Sequence, residues 1–402
     1  MSKNTPGEVK RERALLKNAP AKQSARAHWS KSRRQNKARV RIIQKHAGKA
    51  KRACALAKNT SLQLCGIFSD NIIMKRLVCA PMATLSHEAF RRLIERFGGC
   101  DEYFTEMINA ASLLNGGPFE KYYLLSGPAP QKIVWQLTGN RADRMAAAAE
   151  LLCAHGGIGI DLNMGCSAPD ICKTGAGIAW MLKDRAETQA MVSAVKAAIE
   201  RAAPQMRLSV KLRLGDDNFS DEGFFSFCQM LAECGVTLLT LHPRTRREKY
   251  RGLPRWHYAR QLTERLHPQG VQVVLNGGIG SPQTYRQALQ AAPDVDGIMI
   301  ARSAVQKPWI FAELAGTLQN DPIDMQQLSF DYIADVQRYQ PPEFWKTRIQ
   351  RFFAYFCANF TFAHYARSQL LNGTEPADFE RRLLAYFAKQ PEDRYFRPDA
   401  DA

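Results

Sequence analysis

The chain has 402 residues, 45% of them hydrophobic, and a formal net charge of +18. That length accommodates one large domain with one or two appendages, and the hydrophobic share is typical of a globular protein. No apolar run reaches the roughly 18 residues that a membrane span requires, and the N-terminus has no apolar core of the signal-peptide type. Ten cysteines without a framework spacing indicate a reducing compartment, so we expect a cytoplasmic protein without a transmembrane helix. The eight histidines give no pair at metal-ligand spacing, and we expect no metal site.

The excess positive charge is concentrated in the first 76 residues. They hold 20 Lys and Arg against three acidic residues, whereas the remainder holds 36 against 35. We interpret residues 1–73 as a basic extension of low order, and three interpretations of it stay open. It is an RNA-binding arm with His28 and Trp29 among its cations, an organelle-targeting segment, or not part of the natural protein. The last interpretation rests on Met74, which looks like a start directly before a strand.

From Arg76 onward, short apolar runs alternate with amphipathic stretches of helical period. Strands alternating with helices form parallel βα units, and eight of them in about 240 residues predict a (β/α)8 TIM barrel over 74–321. A doubly wound sheet is the alternative, but it needs a Gly-x-Gly-x-x-Gly turn where this chain has Pro81-Met82. The predicted strands are Leu77–Met82, Glu102–Met107, Ile133–Leu137, Ile158–Met164, Leu208–Leu214, Thr237–Leu241, Val271–Leu275 and Gly297–Ile300, with helices such as Arg144–Cys153 and Ala186–Ala203 between them.

The pattern changes after Pro322. Three stretches of helical period follow, over Gln326–Tyr339, Glu343–Phe362 and Pro376–Gln390, the second of them rich in aromatic residues. We therefore expect a separate helical domain over 322–392 and a flexible tail over 393–402.

The segment 158–180 carries the most distinctive pattern of the chain. A buried strand from Ile158 ends at Gly165, and Cys166 follows with no Cys-x-x-Cys partner, before a loop with Pro169, Gly175 and Gly177. A cysteine just past the carboxyl end of a strand lies where α/β proteins place catalytic residues. The alternative is that Cys166 is one of ten cysteines and only fills space.

Polar residues follow the other predicted strands and would meet at the same end of the barrel. Glycines and an arginine in the loops 276–280 and 301–303 predict a phosphate site, although each glycine alone is also compatible with an ordinary turn. Lys211 either alternates into the barrel interior or points to solvent. An interior cation there would stabilise an electron-rich ring, which indicates a reduced flavin.

Two basic stretches are candidates for RNA contact. The loop from Arg244 to Arg251 holds five cations and Tyr250, and it is either an RNA contact or a solvated surface. On the C-terminal helices, Lys346, Arg348 and Arg351 could add phosphate contacts.

Several ordered motifs together resemble the tRNA-dihydrouridine synthases over about residues 76–320. They are Ala80-Pro81-Met82 with Phe90-Arg91, Asn163-Met164-Gly165-Cys166 with Gly175-x-Gly177, Val210-Lys211-x-Arg213, Leu241-His242-x-Arg244-Thr245 with Tyr250, Asn276-Gly277, and Met299-Ile300-x-Arg302 with Pro308-Trp309. The chain departs from the family pattern at Thr84, His87, Ser167, Pro243, Gly278 and Ala301, where the family usually has Gly, Asp, Pro, Gly, an acidic residue and Gly.

The resemblance implies a TIM barrel that holds FMN, reduction of that flavin by NADPH, and reduction of uridine in tRNA by a monomeric enzyme. It implies that Cys166 is the general acid. The residues implied for FMN are Pro81, Met82, Ala83, Gln136, Lys211, His242, Asn276, Gly277, Gly278, Ala301 and Arg302, and those for the uracil ring or the RNA are Asn163, Arg213, Arg244, Arg246, Arg247, Lys346 and Arg348. Two other functions stay open, a flavin barrel of the dihydroorotate-dehydrogenase type acting on a free small molecule and an RNA-binding barrel without catalysis.

Overall fold

The computed structural model of the chain describes residues 74–216 and 219–398. The predicted basic extension over 1–73, including His28 and Trp29, lies outside the described residues, as do the last four residues of the predicted tail.

Eight parallel strands, numbered β1 to β8 here, close into a barrel. The first strand pairs with the second on one side and with the eighth on the other, and the remaining strands pair with their neighbours in sequence. Closure confirms the predicted TIM barrel and excludes the doubly wound sheet, which would leave two free edges. The strands are β1 Arg76–Cys79, β2 Glu102–Phe104, β3 Ile133–Thr138, β4 Gly159–Met164, β5 Arg207–Arg213, β6 Leu238–His242, β7 Gln272–Asn276 and β8 Gly297–Ile300.

The second predicted strand is shorter than expected. The strand β2 stops at Phe104, and a separate two-residue strand, Ile108–Asn109, pairs with the end of β3.

Helices surround the barrel, and several begin at a side chain that caps the first turn. Asp184, Ser220 and Ser281 each accept a hydrogen bond from a backbone N–H in the turn that follows them. Among the described residues, no helix combines the length and the apolar character needed to cross a bilayer. The helices of the barrel are Glu88–Glu95, Ala110–Leu114, Glu120–Tyr123, Ala142–Cys153, Pro169–Lys173, Arg185–Ala202, Asp221–Glu233, His257–Leu266, Pro282–Ala291, Arg302–Gln306 and Ile310–Ala315.

The barrel interior is layered along its axis. At the amino-terminal ends of the strands, Glu102 forms ion pairs with Arg76, at 2.9 Å, and with Arg207. Above this ionic layer lies an apolar cluster that is separate from the core between the barrel and its outer helices. The ionic and apolar layers together fill this part of the barrel, so we place the ligand opening at the carboxyl ends of the strands. The members of the apolar layer are Val78, Ala80, Phe104, Val134, Leu238, Val274 and Met299.

Four helices follow the barrel, Met325–Tyr339, Pro342–Phe356, Ala363–Leu371 and Pro376–Lys389. The helix predicted to continue to Phe362 ends at Phe356, since the backbone turns at Cys357–Asn359 and Phe360 then packs against Tyr386, with the ring centres 5.1 Å apart.

The segment predicted as a flexible tail is ordered as far as the structure describes it. Tyr395–Phe396 forms an antiparallel pair with Ile323–Asp324, and Asp393 accepts hydrogen bonds from the backbone N–H and the hydroxyl of Thr361. Two ends of the helical region are therefore tied together.

A buried ion pair connects the helical region to the barrel. The guanidinium of Arg348 donates to Glu106, just beyond β2, and it lies 5.0 Å from the ring centre of Phe344. Arg348 was predicted to contact phosphate, but it is only 2% exposed. It lies on the same helical face as Ile349 and Phe352, whereas Lys346 lies on the exposed face. Arg348 therefore serves the interior of the protein and not its RNA-facing surface.

We expect Arg348→Met to lower the free energy of unfolding by about 3–5 kcal/mol, because it leaves the Glu106 carboxylate buried without its cation. The matched control is Lys346→Met on the same helix, which we expect to change the free energy by no more than about 0.5 kcal/mol. Urea unfolding of the three proteins measures both values. Equal values for the two variants would contradict a buried ion pair.

The deficit of Arg348→Met should depend on pH. Burial raises the pKa of Glu106, while Arg348 lowers it. Without Arg348 the pKa of the folded state rises further above that of the unfolded chain, so that the folded variant binds protons more readily. Its deficit in stability should therefore shrink as the pH falls, and a deficit that grows in acid would contradict this assignment.

Candidate active site

Polar side chains occupy the interior face of the barrel at the carboxyl ends of β3 to β7. The register makes Lys211 the neighbour of Asn163, and His242 the neighbour of Arg213. Residues paired across parallel strands share a face of the sheet, and the side chain of Asn163 contacts that of Gln136 inside the barrel. Lys211 therefore lies on the interior face of the barrel. Of the two alternatives that the sequence left open for Lys211, interior or solvent, the structure shows the interior one.

A chain of hydrogen bonds, called the amide chain here, runs across three strands to the loop of Cys166. Asp161 Oδ1 accepts from Ser209 Oγ at 2.7 Å, and Asp161 Oδ2 accepts from Gln136 Nε2 at 2.7 Å. Gln136 Oε1 accepts from Asn163 Nδ2 at 2.9 Å. Asn163 Oδ1 then accepts from the backbone N–H of Cys166 at 2.9 Å. Burial raises the pKa of Asp161 to about 6, although the hydrogen bonds from Gln136 and Ser209 oppose the shift.

The amide chain changes what Asn163 can do. We expected this residue to orient the uracil ring, but its amide oxygen holds the Cys166 loop and one amide N–H goes to Gln136. Only the second N–H of its amide is left for a ligand.

The backbone around Cys166 is held on both sides. Its N–H donates to Asn163, and its carbonyl accepts from the N–H of Ile178 at 3.0 Å. Gly177 has a φ of 63°, and a Cβ there would lie 2.6 Å from the Cys166 carbonyl oxygen, so only glycine fits. The thiol is partly exposed, in a loop whose backbone is anchored.

Positive charge collects around His242. Arg244 Nη1 lies 3.0 Å from His242 Nε2, and because arginine only donates, that nitrogen accepts and the ring proton is on Nδ1. Burial, together with Lys211 and Arg213, lowers the pKa of His242 to about 2, so the ring is neutral. Burial and the charge of Arg213 lower the pKa of Lys211 to about 8. This end of the barrel suits an anionic or electron-rich ligand.

The loop after β7 approaches His242 closely. Gly277 has a φ of 108°, and a Cβ on it would lie 2.6 Å from His242 Cδ2. Before it, Asn276 is buried and its Nδ2 donates to the carbonyl of Met299 at 2.7 Å, so it supports the neighbouring strand. The next residue, Gly278, is also left-handed, with a φ of 78°.

The two loops predicted to bind phosphate are neighbours. Ser303 Oγ donates to the carbonyl of Ile279 at 3.0 Å, and a Cβ on Gly280 would lie 2.6 Å from that hydroxyl oxygen. Arg302 is exposed, and its guanidinium lies 4.3 Å from the ring centre of Tyr250. The structure thus brings together Asn276, Gly277, Gly278, Ala301 and Arg302 at one side of the opening.

The loop after β1 holds Pro81, Met82 and Ala83 at the same end of the barrel. The Met82 N–H donates to Ser86 Oγ at 2.8 Å, and the Thr84 N–H donates to Glu106 Oε1 at 2.5 Å. Thr84 has a φ of 66°, in the left-handed region that favours glycine. This conformation explains physically why a glycine suits the position where this chain has threonine.

The predicted RNA-contacting residues divide into two groups. Arg244 is buried and donates to His242 and to the carbonyl of Gly252, so its guanidinium contacts the barrel itself, and an RNA contact of Arg244 stays a prediction. It lies two residues beyond the end of β6, and its guanidinium contacts the His242 ring from there. Arg246 is half-buried and pairs with Asp216 at 3.0 Å. The exposed members of the two basic stretches are Arg247, Lys249, Arg251, Lys346 and Arg351.

Sequence reasoning overlooked one residue of this region, Asp161, and named Tyr250 only as part of the basic loop and of the family motif. Asp161 was passed over, although an acid within the apolar strand Gly159–Met164 is a signal for a buried polar contact. The ring of Tyr250 lies between cations, with Arg302 at 4.3 Å and Arg213 at 5.7 Å from its centre, and it is 59% exposed. No group of three acidic, histidine or cysteine side chains suited to a metal occurs in the described part of the chain.

Comparison with known proteins points to one family. The family model described as dihydrouridine synthase matches residues 78–348. A Synechocystis sp. protein named "Probable tRNA-dihydrouridine synthase 1" is 30% identical over 239 residues, which is 60% of this chain and 64% of that protein. The tRNA-dihydrouridine synthase B of Pseudomonas putida is 31% identical over 244 residues, 60% of this chain and 68% of that protein.

A third relative, a "Probable tRNA-dihydrouridine synthase" of Rickettsia typhi, is 31% identical over 249 residues, 61% of this chain and 71% of that protein. The matched segment thus spans 64% to 71% of the length of these relatives. Because the family model covers more than half of the chain and includes the cysteine loop and both glycine loops, this chain belongs to the dihydrouridine synthase family, a family of oxidoreductases.

Proposed function

We propose that this protein is a tRNA-dihydrouridine synthase, which reduces the C5=C6 bond of specific uridines in tRNA to 5,6-dihydrouridine with FMN and NADPH. The observation that carries the proposal is the anchored Cys166 loop next to Arg213, whose Nε donates to the Gly165 carbonyl at 3.0 Å. Family membership and the names of the relatives support the same reaction. We assign residues 74–321 to catalysis and 322–392 to RNA recognition.

The described residues fit FMN. Gly277 and Gly278 adopt left-handed conformations that let a ligand approach the backbone, and Arg302 on the neighbouring loop adds the cation that a phosphate requires. Thr240 Oγ1, on the strand position next to Lys211, is a buried hydroxyl without a hydrogen-bond partner. Lys211 provides a cation in the interior. The residues that would hold FMN are Pro81, Met82, Ala83, Gln136, Lys211, His242, Asn276, Gly277, Gly278, Ala301 and Arg302.

When bound, FMN reduced by NADPH supplies the hydride that adds to C6 of the uracil ring. Cys166 donates the proton that C5 requires, and its anchored backbone keeps the thiol in place for that transfer. Lys211 and Arg213 stabilise the negative charge that develops on the ring carbonyls. His242 is neutral, so it adds no charge to the site and packs against Gly277.

The uridine must leave the folded RNA to reach the barrel opening, at a cost of a few kcal/mol. Exposed cations offer phosphate contacts that offset this cost, with Arg247, Lys249 and Arg251 on the loop after β6 and Lys346 on the helical region. Tyr250 lies on the same loop and presents an exposed ring on which a base could stack.

The decisive experiment is dihydrouridine formation in unmodified tRNA. Purified protein, NADPH and a transcript without modifications should give NADPH-dependent dihydrouridine, detected by mass spectrometry of the nucleosides. Free uridine and orotate, the unsaturated form that NADPH-derived electrons can reduce, serve as parallel substrates. Turnover of a free small molecule without turnover of tRNA would replace the proposal with a small-molecule oxidoreductase, and absence of flavin would indicate an RNA-binding barrel without catalysis.

We expect Cys166→Ala to keep its flavin and its NADPH oxidation but to lower dihydrouridine formation by about 10²–10⁴-fold, because only the proton donor is removed. Cys153→Ala is the control, since Cys153 lies at the end of the outer helix Ala142–Cys153 and has no assigned role, whereas the Cys172 thiol contacts the Cys166 carbonyl at 3.6 Å. Single-turnover formation of dihydrouridine measures the effect. A rate within about twofold of the parent would remove Cys166 from the chemistry.

We expect Lys211→Ala to lower both flavin retention and the flavin reduction potential, because its cation stabilises the reduced ring. Arg302→Ala should lower retention alone, through the phosphate. Lys196→Ala is the control, since Lys196 is half-buried on an outer helix and pairs with Glu200. Flavin absorbance after gel filtration and redox titration measure the two properties. Full flavin occupancy in both variants would show that the assigned site is wrong.

A further inference from the structure

Asp161 has no role in the chemistry proposed above, although it is among the most buried charged residues of the barrel. It is 0% exposed and lies in the middle of β4, below the residues that surround the opening. Its two carboxylate oxygens are both used, one by Ser209 and one by Gln136. The charges of Lys211 and Arg207 favour its ionised form. A carboxylate in such a place needs an explanation beyond packing.

The amide chain has a direction, and the carboxylate determines it. An ionised carboxylate only accepts hydrogen bonds, so Gln136 must turn its NH₂ group toward Asp161. The side-chain carbonyl oxygen of Gln136 then points at Asn163, which must donate to it from its own NH₂ group. Asn163 Oδ1 is thereby left to accept from the N–H groups of Cys166, at 2.9 Å, and Gly165, at 3.3 Å.

Without the carboxylate, only the N–H groups of Gly165 and Cys166 at the other end of the amide chain would favour one orientation of the two amides. The oxygen and the nitrogen of an amide have nearly the same size, so packing alone does not distinguish a side chain from its flipped form. If both amides were flipped, Asn163 would present an NH₂ group to the N–H of Cys166. Two donors would then face each other, and the backbone of the cysteine loop would lose its anchor.

We propose that Asp161 is a positioning residue, which orients the amides of Gln136 and Asn163 and so holds the loop of Cys166 in its reactive place. The inference rests on the proposed function in one respect, the use of Cys166 as the proton donor. Beyond that function, the inference assigns to Asp161, which lies away from the reacting atoms, the role of determining where the Cys166 thiol is held.

The direction of the chain can be reversed by exchanging two side chains. In Asn163→Asp, residue 163 only accepts, so Gln136 faces a carboxylate on each side and cannot donate to one without turning its oxygen toward the other. In the double variant Asp161→Asn with Asn163→Asp, the new amide at 161 donates to Gln136 Oε1, and Gln136 Nε2 donates to the carboxylate at 163. Every hydrogen bond is then restored and the net charge equals that of the parent.

The single and double variants should therefore show rescue. We expect Asn163→Asp to lower the thermal midpoint by about 3–8 °C, and the double variant to return to within about 2 °C of the parent. Asp161→Asn alone should lie within about 2 °C of the parent, because its carbonyl can still accept from Gln136 while its NH₂ group faces Ser209. The control is Asn372→Asp, at an exposed position. Adding Asp161→Asn to this control should not raise the thermal midpoint of the Asn372→Asp protein.

The position of the thiol gives a second measurement. Peptide-resolved alkylation by iodoacetamide should change at Cys166 by at least about threefold in Asn163→Asp and return to the parental rate in the double variant. A double variant that is worse than either single variant in both measurements would overturn the proposal, as would an Asn163→Asp protein that behaves like the parent.

Neither measurement requires tRNA or turnover, so failure of the two proposals can be told apart. A parent protein that forms no dihydrouridine would refute the proposed function, while rescue by the double variant would still establish the orienting role of Asp161. Additive losses in a parent that does form dihydrouridine would refute that role alone.

Discussion

The closure of eight parallel strands imposes one requirement on this protein, namely that each polar side chain alternating into the barrel must find a partner away from water. At the amino-terminal ends, Glu102 and its two arginines meet the requirement among themselves. In the middle, apolar side chains remove the need for partners. At the carboxyl ends the cations outnumber the acids that face them, and burial lowers the pKa values of both Lys211 and His242. A negatively charged ligand would balance the cations at this end of the barrel. In the proposed function, the phosphate and the reduced ring of FMN carry that negative charge, and more develops on the uracil ring during the reaction.

The polar residues of the site act mainly on one another. Gln136 and Asn163 look like ligand-binding amides when each is considered alone, yet most of their hydrogen-bonding capacity is spent inside the amide chain. His242 likewise accepts from Arg244 and stays neutral. Only a few groups are therefore free to act on a substrate, chiefly the thiol of Cys166 and the cations of Lys211 and Arg213. A small number of reactive groups in a preorganised frame is the arrangement that electrostatic catalysis requires.

The sequence predicted the barrel well because the alternation of short apolar runs and helical stretches reports directly on βα units. It also placed the cysteine and the glycine loops at the correct end, since that follows from topology alone. The sequence did not predict which cation of a basic stretch is buried. Arg348 differs from Lys346 only by its helical face, and Arg244 differs from Arg247 because its guanidinium contacts His242 and the Gly252 carbonyl. Counting charges cannot separate such pairs, whereas the partners Glu106 and His242 become visible only when distant segments are brought together.

The ion pair between Glu106 and Arg348 has a geometric consequence for the choice of nucleotide. Separating the helices from the barrel would break the ion pair and leave each buried charge without its partner. The ion pair therefore keeps the helical region at a fixed distance from the barrel. Glu106 also accepts a hydrogen bond from the Thr84 N–H in the loop after β1, so the ion pair is connected to the rim of the opening. Under the proposed function, a fixed distance between the helical region and the barrel limits which nucleotide of a bound RNA can reach the opening.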